Sequence, residues 1–272
     1  MGEEMKRNAL RAVGAVLFLL AITGPIRSED DLAIAHSLTT KLWQQRVGAT
    51  TKEARDALQA EMGGIVTRIQ LLASRGVLAL LNSANPTSSE QLQEALRVAL
   101  SSTDEPQSGD ASVLKFTELP NPVYVVAYAV GYCAVCSRSR LEVIGIQRGS
   151  YQDLAVIEDP LPNRSVDVLP LDLSKGRIIR FLADGVNWGD PHGRLTVSAY
   201  AFDGERLNSF WSRADLPHGT VRVEGDRILL SYLISLAPPW RESPKEETDV
   251  YRLTGDAIKL QIAPRKAATE HQ

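Results

Sequence analysis

Apolar positions along the chain change their spacing near its middle, and that change divides it. Before residue 100 they recur at helical intervals. Leu58, Met62, Ile65, Ile69 and Leu72 step by four and three residues, which places them on one face of a helix. An earlier segment runs from the acidic start Ser28-Glu-Asp-Asp31 to about Val47, with Leu32, Leu38, Leu42 and Trp43 inside. A third carries Leu92, Leu96 and Leu100 as a narrow stripe. Thr50-x-x-Glu53 and Thr87-x-x-Glu90 have the spacing of capping boxes for the second and third helices. Gly63-Gly64 inside the second predicts a kink or a close approach to another element, since each Gly costs on the order of 1 kcal/mol relative to Ala.

The stretch Asn121 to Cys136 is the centre of the pattern, because it contains no charge. Tyr124, Val126, Tyr128, Val130 and Tyr132 alternate with Val125, Ala127, Ala129 and Cys133, so both faces of a strand over 123–136 are apolar. Such a strand belongs near the middle of a sheet covered on both sides. The helical stripe is the natural partner for one face.

From Val113 onward the pattern is of short strands and Gly-containing turns. Hairpins are predicted about Gln147-Arg-Gly-Ser150, Asp203-Gly204, Glu224-Gly-Asp226 and Thr254-Gly-Asp256. Asp203-Gly204 reads as a two-residue turn joining Leu195–Phe202 to Glu205–Trp211. Pro-His-Gly occurs at 191–193 and again at 217–219, which raises a repeating architecture. With about ten to twelve strands the chain is too short for a closed propeller of four four-stranded blades.

The expected fold is therefore α+β: about three N-terminal helices, then a mainly antiparallel β domain built as a sandwich, an open barrel or a propeller-like fragment. The boundaries are a signal segment at 1–28, helices at 29–100, a linker at 101–112 and a β-rich domain at 113–262. Residues 263–272 read as a loose, disordered tail.

Composition narrows the classes. A hydrophobic fraction of 44% and a charged fraction of 23% describe a folded chain. A net charge of -3 gives no basic field for nucleic acid. Lys6, Arg7 and Arg11 precede a short apolar core from Ala12 to Thr23, the pattern of an export signal too short to span a bilayer. The expectation is a periplasmic or secreted protein with no membrane span after signal removal; the alternative is anchoring by an uncleaved signal helix.

Candidate chemistry is sparse. Cys133-Ala-Val-Cys136 lacks a following helix for a redox pair and further ligands for zinc, with the histidines at 36, 192, 218 and 271. A disulfide there needs a turn or bulge near Gly131 to Ser137, and buried free thiols are the other reading. The weak catalytic candidates are Asp190, His192, Asp215 and His218, in two segments that turn chemistry alone explains. Trp240, after Pro238-Pro239, is the candidate ligand-contacting aromatic.

No metal and no cofactor are expected. The reading is an exported, non-catalytic binding or interaction protein of unknown ligand, with a protein or small-molecule partner. The alternative is a hydrolase-type enzyme with its site around the two Pro-His-Gly turns.

Overall fold

Alternation with period two makes strands and the four-three spacing makes helices, and both appear where those periods occur. The computed structural model describes residues 28–83, 87–102, 109–117, 119, 121–131, 137–160, 165–171, 178–187, 193–234, 245–254 and 257–261. Three helices come first among them: α1 (Ser28–Gly48), α2 (Lys52–Leu81) and α3 (Ser89–Leu100). Twelve strands follow as three four-stranded antiparallel sheets, so the fold is α+β with a β-rich domain.

The first sheet holds β1 (Gly109–Phe116), β2 (Val123–Gly131), β3 (Ser137–Gln147) and β4 (Ser150–Glu158) in chain order. The second holds β5 (Ser165–Pro170), β6 (Ile179–Asn187), β7 (Arg194–Phe202) and β8 (Leu207–Pro217). The third holds β9 (Thr220–Glu224), β10 (Arg227–Leu233), β11 (Glu246–Thr254) and β12 (Ala257–Gln261). Successive sheets begin at 109, 165 and 220, a repeat of about 55 residues.

The two faces of β2 explain how the layers stack. Its even residues Tyr124, Val126, Tyr128 and Val130 share a core with Met62, Ile69, Leu72, Leu92 and Leu96 of the helices. Its odd residues Val125, Ala127 and Ala129 share one with Val166, Val168, Phe181 and Tyr200 of the second sheet. The other face of the second sheet, through Leu182, Leu195, Val197 and Ala199, packs on Ile228, Leu230, Tyr251 and Leu253 of the third. Helices, first sheet, second sheet and third sheet therefore lie in chain order. Of the three β architectures expected, consecutive four-stranded meanders stacked face to face match the propeller-like fragment.

Side chains finish what backbone pairing leaves open. At the β4 edge, Asn82 accepts from the Tyr151 amide at 2.7 Å and donates to the Tyr151 carbonyl at 3.0 Å. At the β1 edge, the Val113 amide donates to Gln93 Oε1 at 3.1 Å. Exposed strand edges invite pairing with other chains, and these contacts blunt two of them.

Several local expectations shift. The caps fall one residue later than expected: Thr51 caps α2, and Ser88 forms a reciprocal capping box with Gln91 on α3. Gly63-Gly64 meets no neighbouring element; the close approach is at Gly76, where a Cβ would lie 2.6 Å from Leu32 of α1. β1 begins at Gly109, inside the segment read as a linker, because Asp110 and Ser112 spend their polarity on bonds to β5 described below.

The Asp203-Gly204 hairpin is a four-residue loop, not a two-residue turn. Strand pairing stops at Phe202 and Leu207, and Asp203 Oδ1 accepts from the amides of Glu205 and Arg206. Only Gly204 of that pair has positive φ. The two-residue turn with both central φ angles positive is Arg148-Gly149, at 53° and 83°.

Candidate functional site

β1 and β5 run side by side as the facing edges of the first two sheets. No backbone ladder joins them. Instead the Val166 amide donates to Asp110 Oδ2 at 3.1 Å and the Val168 amide to Ser112 Oγ at 3.2 Å. Ser112 in turn donates to Asp167 Oδ1 at 2.6 Å. Residue 110 faces 166 and 112 faces 168, so the two strands are parallel there.

β5 and β9 are the next pair of edges, and among the described residues no such polar bridge joins them. Between them lies an open groove of about 480 Å³, lined by Leu169 and Pro170 on one side and Val221 to Gly225 on the other. Its walls are apolar, with Arg222 and Glu224 among the residues along the β9 side.

Asp167 stands two residues before Leu169 on the same strand face, which puts it within about 7 Å along the groove wall. Directly across the ladder from Asp167 is Asp184 of β6. Like charges opposite one another repel. Burial is the largest influence on Asp184 and repulsion from Asp167 the next; together with Asp110 they push its carboxyl up to about 7, against backbone hydrogen bonds that favour the charge. At neutral pH, Asp184 is thus poised between hydrogen-bond donor and acceptor.

The same cross-strand row continues through Val197 to Arg213 of β8. Arg213 reaches Asp249 of β11 at 3.4 Å, and Asp249 also accepts from the hydroxyls of Tyr232 and Tyr251. Burial, then the Asp249 hydrogen bond and charge, push Tyr251 up to about 12, so it remains a donor. The row thus carries the acidic pair on one side of the buried Val197 and Arg213 on the other, and it ends in a bridge to the third sheet.

Of the weak catalytic candidates, Asp190 and His192 lie outside the described residues, as do Cys133, Cys136 and Trp240. Asp215 and His218 are exposed, with φ of 58° and 47°. Asp215 sits in a bulge of β8, where two residues separate Arg213 from Leu216 against one between Val197 and Leu195; it is not in the turn expected from the sequence. The two Pro-His-Gly segments do meet, since the His218 amide donates to the Gly193 carbonyl at 2.9 Å. Among the described residues no three His, Cys, Asp or Glu side chains converge as metal ligands.

Sequence reasoning missed Asp167 and Asp184. Each is one acidic residue in a strand, and only the ladder sets them opposite. The signal that was available is the charged residue placed between Val166 and Val168, and between Ala183 and Val186, where a buried strand has no need of one.

No family model matches this chain, and no curated protein does. Among solved structures, an α-l-arabinofuranosidase from Fusarium graminearum in complex with an iminosugar inhibitor aligns at 11% identity and a TM-score of 0.31. The alignment covers 53% of this chain and 45% of that one, and it is too slight to bear on fold or activity.

Proposed function

We propose that this is an exported binding protein whose ligand lies in the groove between β5 and β9. The observation that supports it is the groove itself: two strand edges with no bridge between them among the described residues, apolar walls, and Arg222 and Glu224 along one side. Binding sites are typically concave and mostly apolar with a few placed polar groups, and this arrangement has that composition. A flat apolar surface on a sugar ring or an extended peptide fits the walls, and its hydroxyl or carbonyl groups fit Arg222 and Glu224. The N-terminal basic and apolar segment is the reason for placing the protein outside the cytoplasm.

The test is a screen of immobilised oligosaccharides and extended peptides with the intact protein. Binders should be lost in Val223→Arg, which fills the groove with a charged side chain. Binders indifferent to that change, in a variant with an unaltered melting profile, would refute the site.

The hydrolase-type enzyme remains as a second reading because Asp167 and Asp184 form a pair whose environments differ, the condition for acid and base roles. Contact between the two Pro-His-Gly segments is the other point in its favour. Turnover of chromogenic glycosides or esters, abolished by Asp184→Asn, would establish it and overturn the binding reading.

A further inference from the structure

Between α2 and the first sheet lies a buried polar cluster that the groove does not use. Glu142, on β3, is fully buried. Arg140 Nε donates to its Oε1 at 2.5 Å, and Arg140 Nη1 reaches Glu158 Oε1 on β4 at 3.1 Å. The Tyr128 hydroxyl of β2 lies 3.1 Å from the same Glu142 oxygen and 3.0 Å from the Gln70 carbonyl of α2. One phenolic proton thus has two acceptors, one on the sheet and one on the helix. The other carboxyl oxygen, Oε2, is buried without a hydrogen-bond partner. Gln70 further ties the helix down, donating through Nε2 to the Arg138 and Ser139 carbonyls at 3.3 and 3.4 Å.

We propose that Glu142 is a proton-operated latch that fastens α2 to the first sheet more firmly as the pH falls. Ionised Glu142 claims the Tyr128 proton and leaves Oε2 unsatisfied. Once Glu142 is protonated, it holds Tyr128 less strongly, and that hydroxyl donates to the Gln70 carbonyl across the interface. The new proton also relieves the cost of holding a fully buried carboxylate whose Oε2 has no hydrogen-bond partner.

The groups facing Glu142 are Arg140 on its own strand, Tyr128 on β2, and Asp153 and Glu158 on β4; from α2 come the uncharged Gln70 and Ser74. Burial is the main influence raising the Glu142 carboxyl, and Asp153 adds repulsion, while Arg140 and Ser74 oppose both. Asp153 is itself raised by burial. Tyr128 is pushed far up by burial and by Glu142, so it keeps its proton throughout.

When α2 lifts away, the burial that raises the Glu142 carboxyl is relieved, and it falls back toward its ordinary value of 4.5. The closed form therefore binds the proton more tightly than the open form. Closure gains from acidification over the window between 4.5 and the raised value, and the gain is lost as the pH rises through it. For one proton the limit is about tenfold in the opening equilibrium per pH unit.

Hydrogen exchange of the α2 amides around Gln70, in the full chain and corrected for intrinsic rates, reads this directly. Protection should rise as the pH is lowered from 8 to 5 in the wild type and in Asp184→Asn. In Glu142→Gln the slope should be markedly shallower than in the wild type, the remainder belonging to Asp153, with protection at pH 8 close to the acid value of the wild type. An unchanged slope in Glu142→Gln would overturn the latch. If that variant does not fold, the Glu142 carboxyl carbon can be titrated by NMR in the wild type. A midpoint above the ordinary glutamate range supports the proposal, and one within or below that range sinks it.

Discussion

The backbone amide of His218 donates to the carbonyl of Gly193 across 2.9 Å, joining two Pro-His-Gly segments that lie 26 residues apart. The contact closes the end of the β7–β8 ladder, where Arg194 faces Pro217. It leaves Gly219 no room, since a Cβ there would stand 2.6 Å from Leu195 Cβ and 2.9 Å from the Leu216 carbonyl oxygen. Gly219→Ala should therefore cost about 1–3 kcal/mol, the usual range for overpacking. Chemical denaturation measures it, and a midpoint equal to wild type would show that the turn is free to move.

Gly204 is a different case. A side chain there would meet nothing within 4 Å, but its φ is 102°. Any penalty for Gly204→Val is then conformational, and a loss of about 1 kcal/mol or more is expected. Comparing Gly204→Val with Gly204→Asn in thermal melts isolates the cause, because Asn tolerates positive φ better. Equal losses in the two would point away from the backbone.

The shared core of helices and first sheet makes a paired prediction. Ile69 is fully buried and Leu71, two residues on, is half exposed. Ile69→Ala should destabilise by about 2–5 kcal/mol, and Leu71→Ala by no more than about 0.5 kcal/mol. Denaturant unfolding of the two single variants decides whether α2 is integral to the fold.

Asp184 should make stability fall as the pH rises. Its carboxyl titrates near 3.8 when unfolded and at about 7 when folded, so the folded form holds the proton across that interval. The contribution is complete below 3.8 and is lost as the pH climbs to about 7, with a slope of at most about 1.4 kcal/mol per pH unit. In Asp184→Asn the part of this slope that belongs to Asp184 should be lost from a series of melts between pH 4 and 8, leaving the shallower slope that Glu142 contributes. A wild-type slope in that variant would place the titrating group elsewhere.

Ser112 holds the first two sheets together by accepting the Val168 amide and donating to Asp167. Ser112→Ala removes both bonds of that hydroxyl and leaves the Val168 amide only its bond to Asp167 Oδ1 at 2.8 Å, at a cost of about 0.5–1.5 kcal/mol. Amide exchange at Val168 should rise in that variant more than exchange at β7; uniform changes would deny the bridge.

What the sequence by itself determined is periodic and local. The uncharged run ending at Cys136 placed β2 inside a sheet with both faces covered, since alternation of side chains needs no distant information. The step of four and three from Met62 to Leu72 made α2 amphipathic and named its buried side. Even so, both helix caps fell one residue late, because Thr50 and Thr51, or Thr87 and Ser88, are equivalent until the helix docks and fixes its rotation.

Tertiary structure alone decided the rest. Stacking of the three sheets depends on which apolar face meets which, and every sheet offers similar Val, Leu and Ala. Asp167 and Asp184 became a pair only when strand register set them opposite and burial shifted one of them. Glu142 acquired its role from Tyr128, Arg140 and Gln70 together, and Gln70 lies 58 residues from its hydroxyl partner. Long-range register and burial have no local signature, because both are fixed by packing among parts of the chain that sequence distance separates.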